Sequence, residues 1–269
     1  MVSMNKRVTI GDVAEAAGVC KATVSYVLND RKDQKISEAT KKKVWQVVNM
    51  LGYRPNAFAQ NMRTAEARQM IGVCLPEDMS ALEKAASMDF LSDLSAVLKE
   101  DNASIVLLSC VPERINTADA LIACSLTREQ FFALGECNFI PLLAVNCRID
   151  DSLFFEVAPD YFALKLRADA HFGSGYRYVC IPPRDEALRR EIKGVFPDAL
   201  FVRTFGDLEK VTDRNLFVTQ RALAEAFSAR ACNVYFPDDL GKTSAETVAA
   251  CTRLALSHEP CEQHIFKVS

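Results

Sequence analysis

The sequence predicts an α/β protein that begins with an all-α, helix-turn-helix head, and three observations carry that prediction. Up to Leu51 the apolar side chains recur at helical spacing. From Met70 onward short apolar runs alternate with helix-like segments, the pattern of parallel sheets covered by helices. The charge divides at the same place: 12 Lys/Arg stand against 6 Asp/Glu through Arg68, and 20 against 29 thereafter. A basic head on an acidic remainder points to a polyanionic partner for the head alone.

The 269 residues are enough for one small module and one sizeable core, and their composition is ordinary for a globular protein. No apolar run approaches the roughly 18 residues of a membrane span, and the N-terminus carries no signal-peptide apolar region. A cytoplasmic location without membrane contact is therefore expected. The ten cysteines are scattered singly, with no C-x-x-C and no paired histidine spacing. Cys74, Cys110, Cys124 and Cys180 sit inside apolar runs, where a reduced thiol behaves as a small hydrophobe. Neither a disulfide framework nor a metal site is expected.

In the head, Thr9 with Asp12 three residues on reads as a helix N-cap with its capping carboxylate. Ile10, Val13, Ala14 and Ala17 then share one face, Gly18 supplies a tight turn, and Val19 plugs the angle. A second helix opens at Cys20-Lys21-Ala22 and turns Val24, Val27 and Leu28 inward. A third has Ser37 as cap, Val44, Val47, Val48 and Leu51 as core face, and Gly52 as terminator, with Lys41-Lys42-Lys43 near its start. Two short helices joined by a glycine turn form the helix-turn-helix, whose second helix enters the DNA major groove. A purely structural three-helix bundle is the plainer alternative. The small alanines that permit close helix crossing, the glycine turn and the basic surplus tell against it. Beyond it, "RPNAFAQNMRT" places Pro55 at the first position of a helix of under three turns, too short to persist alone in water. An ordinary polar linker is the alternative there.

"VTIGDVAEAAGVCKATVSYVLND", then "ISEATKKKVWQVVNMLGYRPNAFAQNMRT", then "MIGVCLPE" resembles the lactose-repressor (LacI/GalR) family of bacterial transcription regulators, almost continuously over residues 8–76. The resemblance implies a DNA-binding domain over 5–53, a hinge helix and linker over 54–69, and a periplasmic-binding-protein-like regulatory and dimerisation domain over 70–269. It implies a homodimeric repressor on a pseudo-palindromic operator in double-stranded DNA, with hinge helices paired in the minor groove. Lys21 and Ala22 match the family's two base-reading positions, and Tyr26 stands one turn later, where many relatives carry arginine. Thr23 and Ser25 meet phosphates or bases beside them. Lys21 can donate to guanine O6 and N7, Ala22 offers a methyl-sized contact, and Tyr26 brings a hydroxyl and a flat apolar surface without bidentate guanine recognition. Cys20 stands where serine is usual; a thiol accepts weakly, so the helix start is expected to lose about 1 kcal/mol. Met62 replaces the leucine wedge that unstacks a base step. By the same match Thr9, Asn29, Tyr53, Asn56, Ala59, Gln60 and Arg63 complete the DNA-contacting set.

In the remainder, "MIGVCLP", "SIVLLSC", "DALIACS", "IPLLAVNC", "RYVCIPP", "ALFVRTF", "NLFVT" and "CNVYFPDD" read as buried strands, with helices over Phe90–Glu100 and Ala163–Phe172. The resemblance implies two subdomains with a ligand between them, and dimerisation through the helix around Phe90–Leu98. It weakens here: the part from Met70 is shorter than the family's usual core and compressed between Pro183 and Asp239. Where relatives carry a sugar-binding arginine, "LRREIKG" has Glu191, with Arg189 two residues earlier. An expected Asn-Asp pair reads Gln220-Arg221, while Asp238 and Asp239 persist. Arg189, Glu191, Gln220 and Asp239 are thus the candidate residues of an effector pocket that is altered or lost, and the effector, if one exists, is unidentified. The alternative is a regulator without an effector, its body serving only dimerisation. No nucleotide, phosphate, hydrolase or zinc-protease motif occurs, and His171 is distant in sequence from His258 and His264. Neither catalysis nor a cofactor is expected.

Overall fold

Valine and alanine build the core of the head, and their small size lets three short helices cross closely. The computed structural model describes residues 8–28, 36–51, 68–230, 232–257 and 261–269, the side chain of Asn49 apart. The expected hinge helix and Gly52 lie outside the described residues. The chain divides into two units, Met1–Ala67 and Arg68–Ser269.

Helix α1 (Ile10–Ala17) opens on a capping box, with the Asp12 carboxylate accepting from Thr9 N at 2.6 Å and Asp12 N donating to Thr9 Oγ1 at 3.4 Å. It ends at Gly18, whose φ of 64° is left-handed backbone that a Cβ would strain. Val19 N then donates back to Ala14 O at 3.0 Å. The turn leads into α2 (Lys21–Leu28), and α3 (Glu38–Met50) is capped by Ser37, whose Oγ accepts from Thr40 N at 3.2 Å. Val13, Ala14, Ala17, Val24, Val27, Val44, Val47 and Val48 form the buried core, ringed by Ile10, Val19, Leu28, Trp45 and Leu51. All the inward positions expected from the spacing lie in this one cluster.

The second unit begins with β1 (Gln69–Leu75), α4 (Ala81–Glu100), β2 (Ala103–Ser109), β3 (Ala120–Cys124), α5 (Arg128–Cys137), β4 (Leu142–Val145) and β5 (Phe155–Pro159). It continues with α6 (Tyr161–Phe172), β6 (Arg177–Cys180), α7 (Glu186–Val195), β7 (Leu200–Phe201), a 3-10 turn (Phe205–Lys210), β8 (Asn215–Val218), α8 (Arg221–Ser228) and β9 (Asn233–Tyr235). Helix α9 (Leu240–Ser257) and β10 (Ile265–Val268) follow. The strands form two sheets, ordered β10-β5-β4-β3-β1-β2 and β7-β6-β8-β9, and every pairing described is parallel. Each sheet centres one lobe. In the first, α4 and α9 cover one face through Leu91, Leu94, Leu98, Val248 and Ala249, and α5 covers the other through Phe131 and Leu134. In the second, α6 and α7 cover one face through Leu164, Leu188 and Ile192, and α8 with the 3-10 turn covers the other through Leu208, Leu223 and Phe227. Buried on both faces, the central strands read as unbroken apolar runs.

All eight runs expected as strands contain one. Two strands, β5 and β10, go beyond that expectation, as do helices α5, α7, α8 and α9. Helix α4 starts at Ala81 rather than Phe90, its Ser80 cap accepting from Glu83 N at 3.2 Å. Strand β5 is disguised by Glu156, which is only 1% exposed in its middle. That carboxylate accepts from Arg148 Nη1 at 2.5 Å, Ile149 N at 2.8 Å and Asp150 N at 3.3 Å. Removing this carboxylate would leave Arg148 with Glu191 alone and take their acceptor from Ile149 N and Asp150 N in a place largely closed to water. Glu156→Ala should therefore cost about 3–5 kcal/mol in urea unfolding at unchanged m-value; a loss below about 1 kcal/mol would show that Arg148 finds water instead.

Candidate nucleic-acid interface and interlobe cleft

The outer side of α2 carries the candidate base-reading residues. Cys20, Lys21 and Ala22 are exposed, and Thr23, Ser25 and Tyr26 are half-buried, while Val24 and Val27 of the same helix face the core. The alternation follows from the 3.6-residue period and leaves the start of the helix open to a groove. Lys21 lies along bare backbone: a Cβ built on Gly11 would stand 3.0 Å from its Cε and 3.4 Å from its Nζ. Thr9, the cap of α1, is exposed beside it. Asn29, Tyr53, Asn56, Ala59, Gln60, Met62 and Arg63 lie outside the described residues.

Cys20 makes the cap of α2 through a soft acceptor. Thr23 N donates to its Sγ at 3.4 Å, Thr23 Oγ1 lies 3.2 Å away, and Val24 N reaches Cys20 O at 3.2 Å. The Thr23 hydroxyl, and after it the Thr23 amide, hold this thiol below its ordinary value of 9.0. Burial has the opposite effect on Cys74, Cys147, Cys180 and Cys251, whose thiols are pushed up to about 12.

In the second unit the carboxyl ends of strands from both sheets meet around a cleft. Leu75 ends β1 and Pro76 follows it, Ser125 follows β3, Asn146 follows β4, Arg184 lies beyond β6 and Gln220 beyond β8, and all line it. Helix α4 adds Glu83, Asp89, Phe90 and Asp93. A crevice outside strand carboxyl ends is where open parallel sheets bind ligands. Ser125 and Asn146 hold positive φ of 53° and 55°, a backbone state that costs energy at a non-glycine residue and clusters at ligand sites. Burial pushes the Asp89 carboxyl up, against the pull of Arg221 and of the Ala222 N–H.

Of the four effector candidates, Gln220 lines this cleft, with its Oε1 accepting from Ile181 N at 3.4 Å. The other three meet different partners. Glu191 accepts from Arg148 Nη2 at 2.6 Å and Lys267 Nζ at 3.1 Å. Burial raises its carboxyl, but Arg148 and Lys267 more than offset that and hold it below the ordinary range. Arg189 donates to Pro183 O at 2.5 Å and pairs with Glu186 at 3.1 Å. Asp239 accepts from Arg167 Nη2 at 2.6 Å. The spacing of motifs along the chain missed Asp89, Arg184, Ser125 and Asn146. For the last two a polar residue directly after an apolar run was the available signal.

The described residues thus hold a helix-turn-helix with an open second helix and, later in the chain, a body of two parallel α/β lobes. Residues 9–56 match the family described as bacterial regulatory proteins, lacI family, so the head is a lacI-family helix-turn-helix domain. It resembles the HTH-type transcriptional regulator PtxS of Pseudomonas putida, 45% identical over 73 residues, which is 27% of this chain and 21% of that one. The sucrose operon repressor of Klebsiella pneumoniae is 30% identical over 125 residues, 46% of this chain and 36% of that one. The match thus spans well under half the length of these relatives. A crystal structure of a LacI family transcription regulator from Clostridium acetobutylicum covers 74% of this chain and 97% of its own, with a TM-score of 0.52 at 12% identity, and shares the fold of the body.

Because Cys20 is the exposed thiol among ten cysteines and its pKa is lowered, it should be the first alkylated by iodoacetamide. A lowered pKa means thiolate at lower pH, so the rate should rise with pH and level off below 9.0; peptide mapping by mass spectrometry reads both. Cys20→Ser, a stronger cap, should stabilise the head by about 0.5–1 kcal/mol in thermal unfolding.

Proposed function

We propose that this protein is a sequence-specific DNA-binding transcriptional regulator, a repressor that acts as a homodimer on a pseudo-palindromic operator. The observation that carries the reading is the lacI-family match over residues 9–56, which includes the open start of α2. In this reading Lys21 donates to guanine, Ala22 packs on a thymine methyl, and Tyr26 reads its neighbour through one hydroxyl. Thr23 and Ser25 meet phosphates or bases beside them, and Thr9 and Cys20, the caps of α1 and α2, complete the contacts of the head; a phosphate contact fixes register without reading sequence. Asn29, Tyr53, Asn56, Ala59, Gln60 and Arg63 extend the contacts, with Met62 as the minor-groove wedge. The domain limits are those of the resemblance: 5–53 for the head, 54–69 for the hinge and 70–269 for the body. The protein works in the cytoplasm and uses no cofactor and no catalysis.

Two heads need a dimer, and the body supplies it through the open side of α4 and the neighbouring edge strand β2. Met88 of α4 is 60% exposed and Leu107 of β2 is 55% exposed, apolar side chains that a partner copy would cover. Leu91, Leu94 and Leu98 of the same helix are committed to the core of their own lobe. Sedimentation velocity at micromolar concentration should show a dimer, and Leu107→Asp should give a monomer with weakened operator binding. A monomeric parent that binds a half-site with undiminished affinity would contradict this.

Base reading is tested by selection from random DNA. Lys21→Ala should cost about 1–3 kcal/mol and relax preference at one base pair per half-site. Tyr26→Arg should turn the neighbouring position towards guanine. If both variants keep the parent's preferences, α2 does not read the bases.

A further inference from the structure

We infer that the cleft of the body is held shut by the protein's own side chains, so that operator binding needs no small molecule to set the lobes. This deepens the proposed reading in its operator arm, while its structural arm stands on the body alone.

The central observation is Leu82. It is the second residue of α4, a helix of the first lobe, yet it is 0% exposed and packs in the core of the second lobe with Val179, Leu216, Val218, Leu223 and Phe227. The lobes cannot part without drawing this leucine out of an apolar core into water. Helix α4 also touches α8, and the Ala222 N–H at the start of α8 acts on the Asp89 carboxyl to lower its pKa, where the Gln220 side chain makes no cap. A first-lobe carboxylate thus meets a second-lobe helix terminus, whose N–H offsets only part of the burial that pushes this carboxyl up.

Two ion-pair groups join the lobes as well. Arg184, beyond β6, pairs with Asp78 at 2.6 Å and Glu83 at 3.2 Å, and donates to Asp78 O at 3.0 Å. Glu191 of α7 accepts from Arg148 and Lys267 of the first lobe. An exposed pair such as Arg184–Asp78 adds little by itself. Leu82 and the largely buried Arg148–Glu191 pair carry the closure, and Arg184 sits over it. The cleft that remains has a volume of about 210 Å³, below the roughly 300–1,000 Å³ of ordinary small-molecule sites. Arg184 of the second lobe lines this cleft, while Leu82 of the first is buried beside it in the second lobe's core.

Hydrogen exchange on the full-length protein, read by mass spectrometry without added ligand, tests the closure. The amides of α4 from Leu82 to Asp89 and of α8 from Ala222 to Phe227 should be protected. Leu82→Ala should speed exchange on both sides of the cleft together by about tenfold or more, with β3 and β4 unchanged. Glu191→Gln, which keeps shape and drops charge, and Arg184→Gln, which shortens the side chain and removes its charge, should give the same pattern with smaller increases. Operator affinity of the parent should then stay constant within about twofold across millimolar hexoses, hexose phosphates, nucleosides and amino acids. Fast exchange of the cleft amides in the parent would overturn the inference, as would variants that leave them unchanged. So would a metabolite that slows their exchange and shifts operator affinity by about tenfold. A protected cleft in a protein that selects no DNA at all would leave this inference standing and remove the proposed function instead.

Discussion

The body depends on one guanidinium. Arg148 lies between Glu156 of β5 and Glu191 of α7, at 2.5 and 2.6 Å, and its side chain is 11% exposed. Burial pulls against its charge, but the two carboxylates prevail and raise its pKa above the ordinary value. Glu156 also takes the backbone N–H groups of Ile149 and Asp150, so the middle of the loop between β4 and β5 is held against β5. Glu191 then passes the connection to Lys267 of β10. A chain of four charged side chains thereby links the edge of the first sheet to a helix of the second lobe. Such a group holds together only as a set, because each member would be costly alone in that environment.

This explains how a position that the family resemblance assigns to ligand binding serves the fold instead. An arginine at 191 would face Arg148 and Lys267, and three cations would crowd one half-buried space. With glutamate the same position becomes a clamp. Asp239 and Arg189 follow the same logic on a smaller scale, since each is satisfied by a neighbour, Arg167 or Glu186, rather than turned to the cleft.

The head was legible almost residue by residue because its information is local. Thr9 with Asp12, the single glycine at 18 and the inward valines each act over three or four positions. In the body the apolar runs announced eight strands, but β5 hid behind Glu156, and β10 alternates exposed and covered residues at a sheet edge. Helix α7 did carry a signal, with Leu188, Ile192 and Val195 at helical spacing. The cleft was the least legible part. Arg184 and Asp78 are 106 positions apart, and only the topology brings them together. Gln220 was accessible to motif reading since it follows directly on a strand, whereas Asp89 lies in mid-helix with no local mark.

The place of β10 has a consequence for the order in which the chain acquires structure. This strand pairs with β5, yet the whole second lobe is inserted between them in sequence. The three helices of the head follow one another directly in sequence and can form as soon as they are synthesised. The first lobe, by contrast, leaves the flank of β5 unpaired until the second lobe has been made and α9 has returned. Distant pairings of this kind are slow, and an unpaired strand edge invites association with other chains. A nascent body therefore passes through an interval in which its most buried sheet is incomplete, while the head ahead of it has already finished.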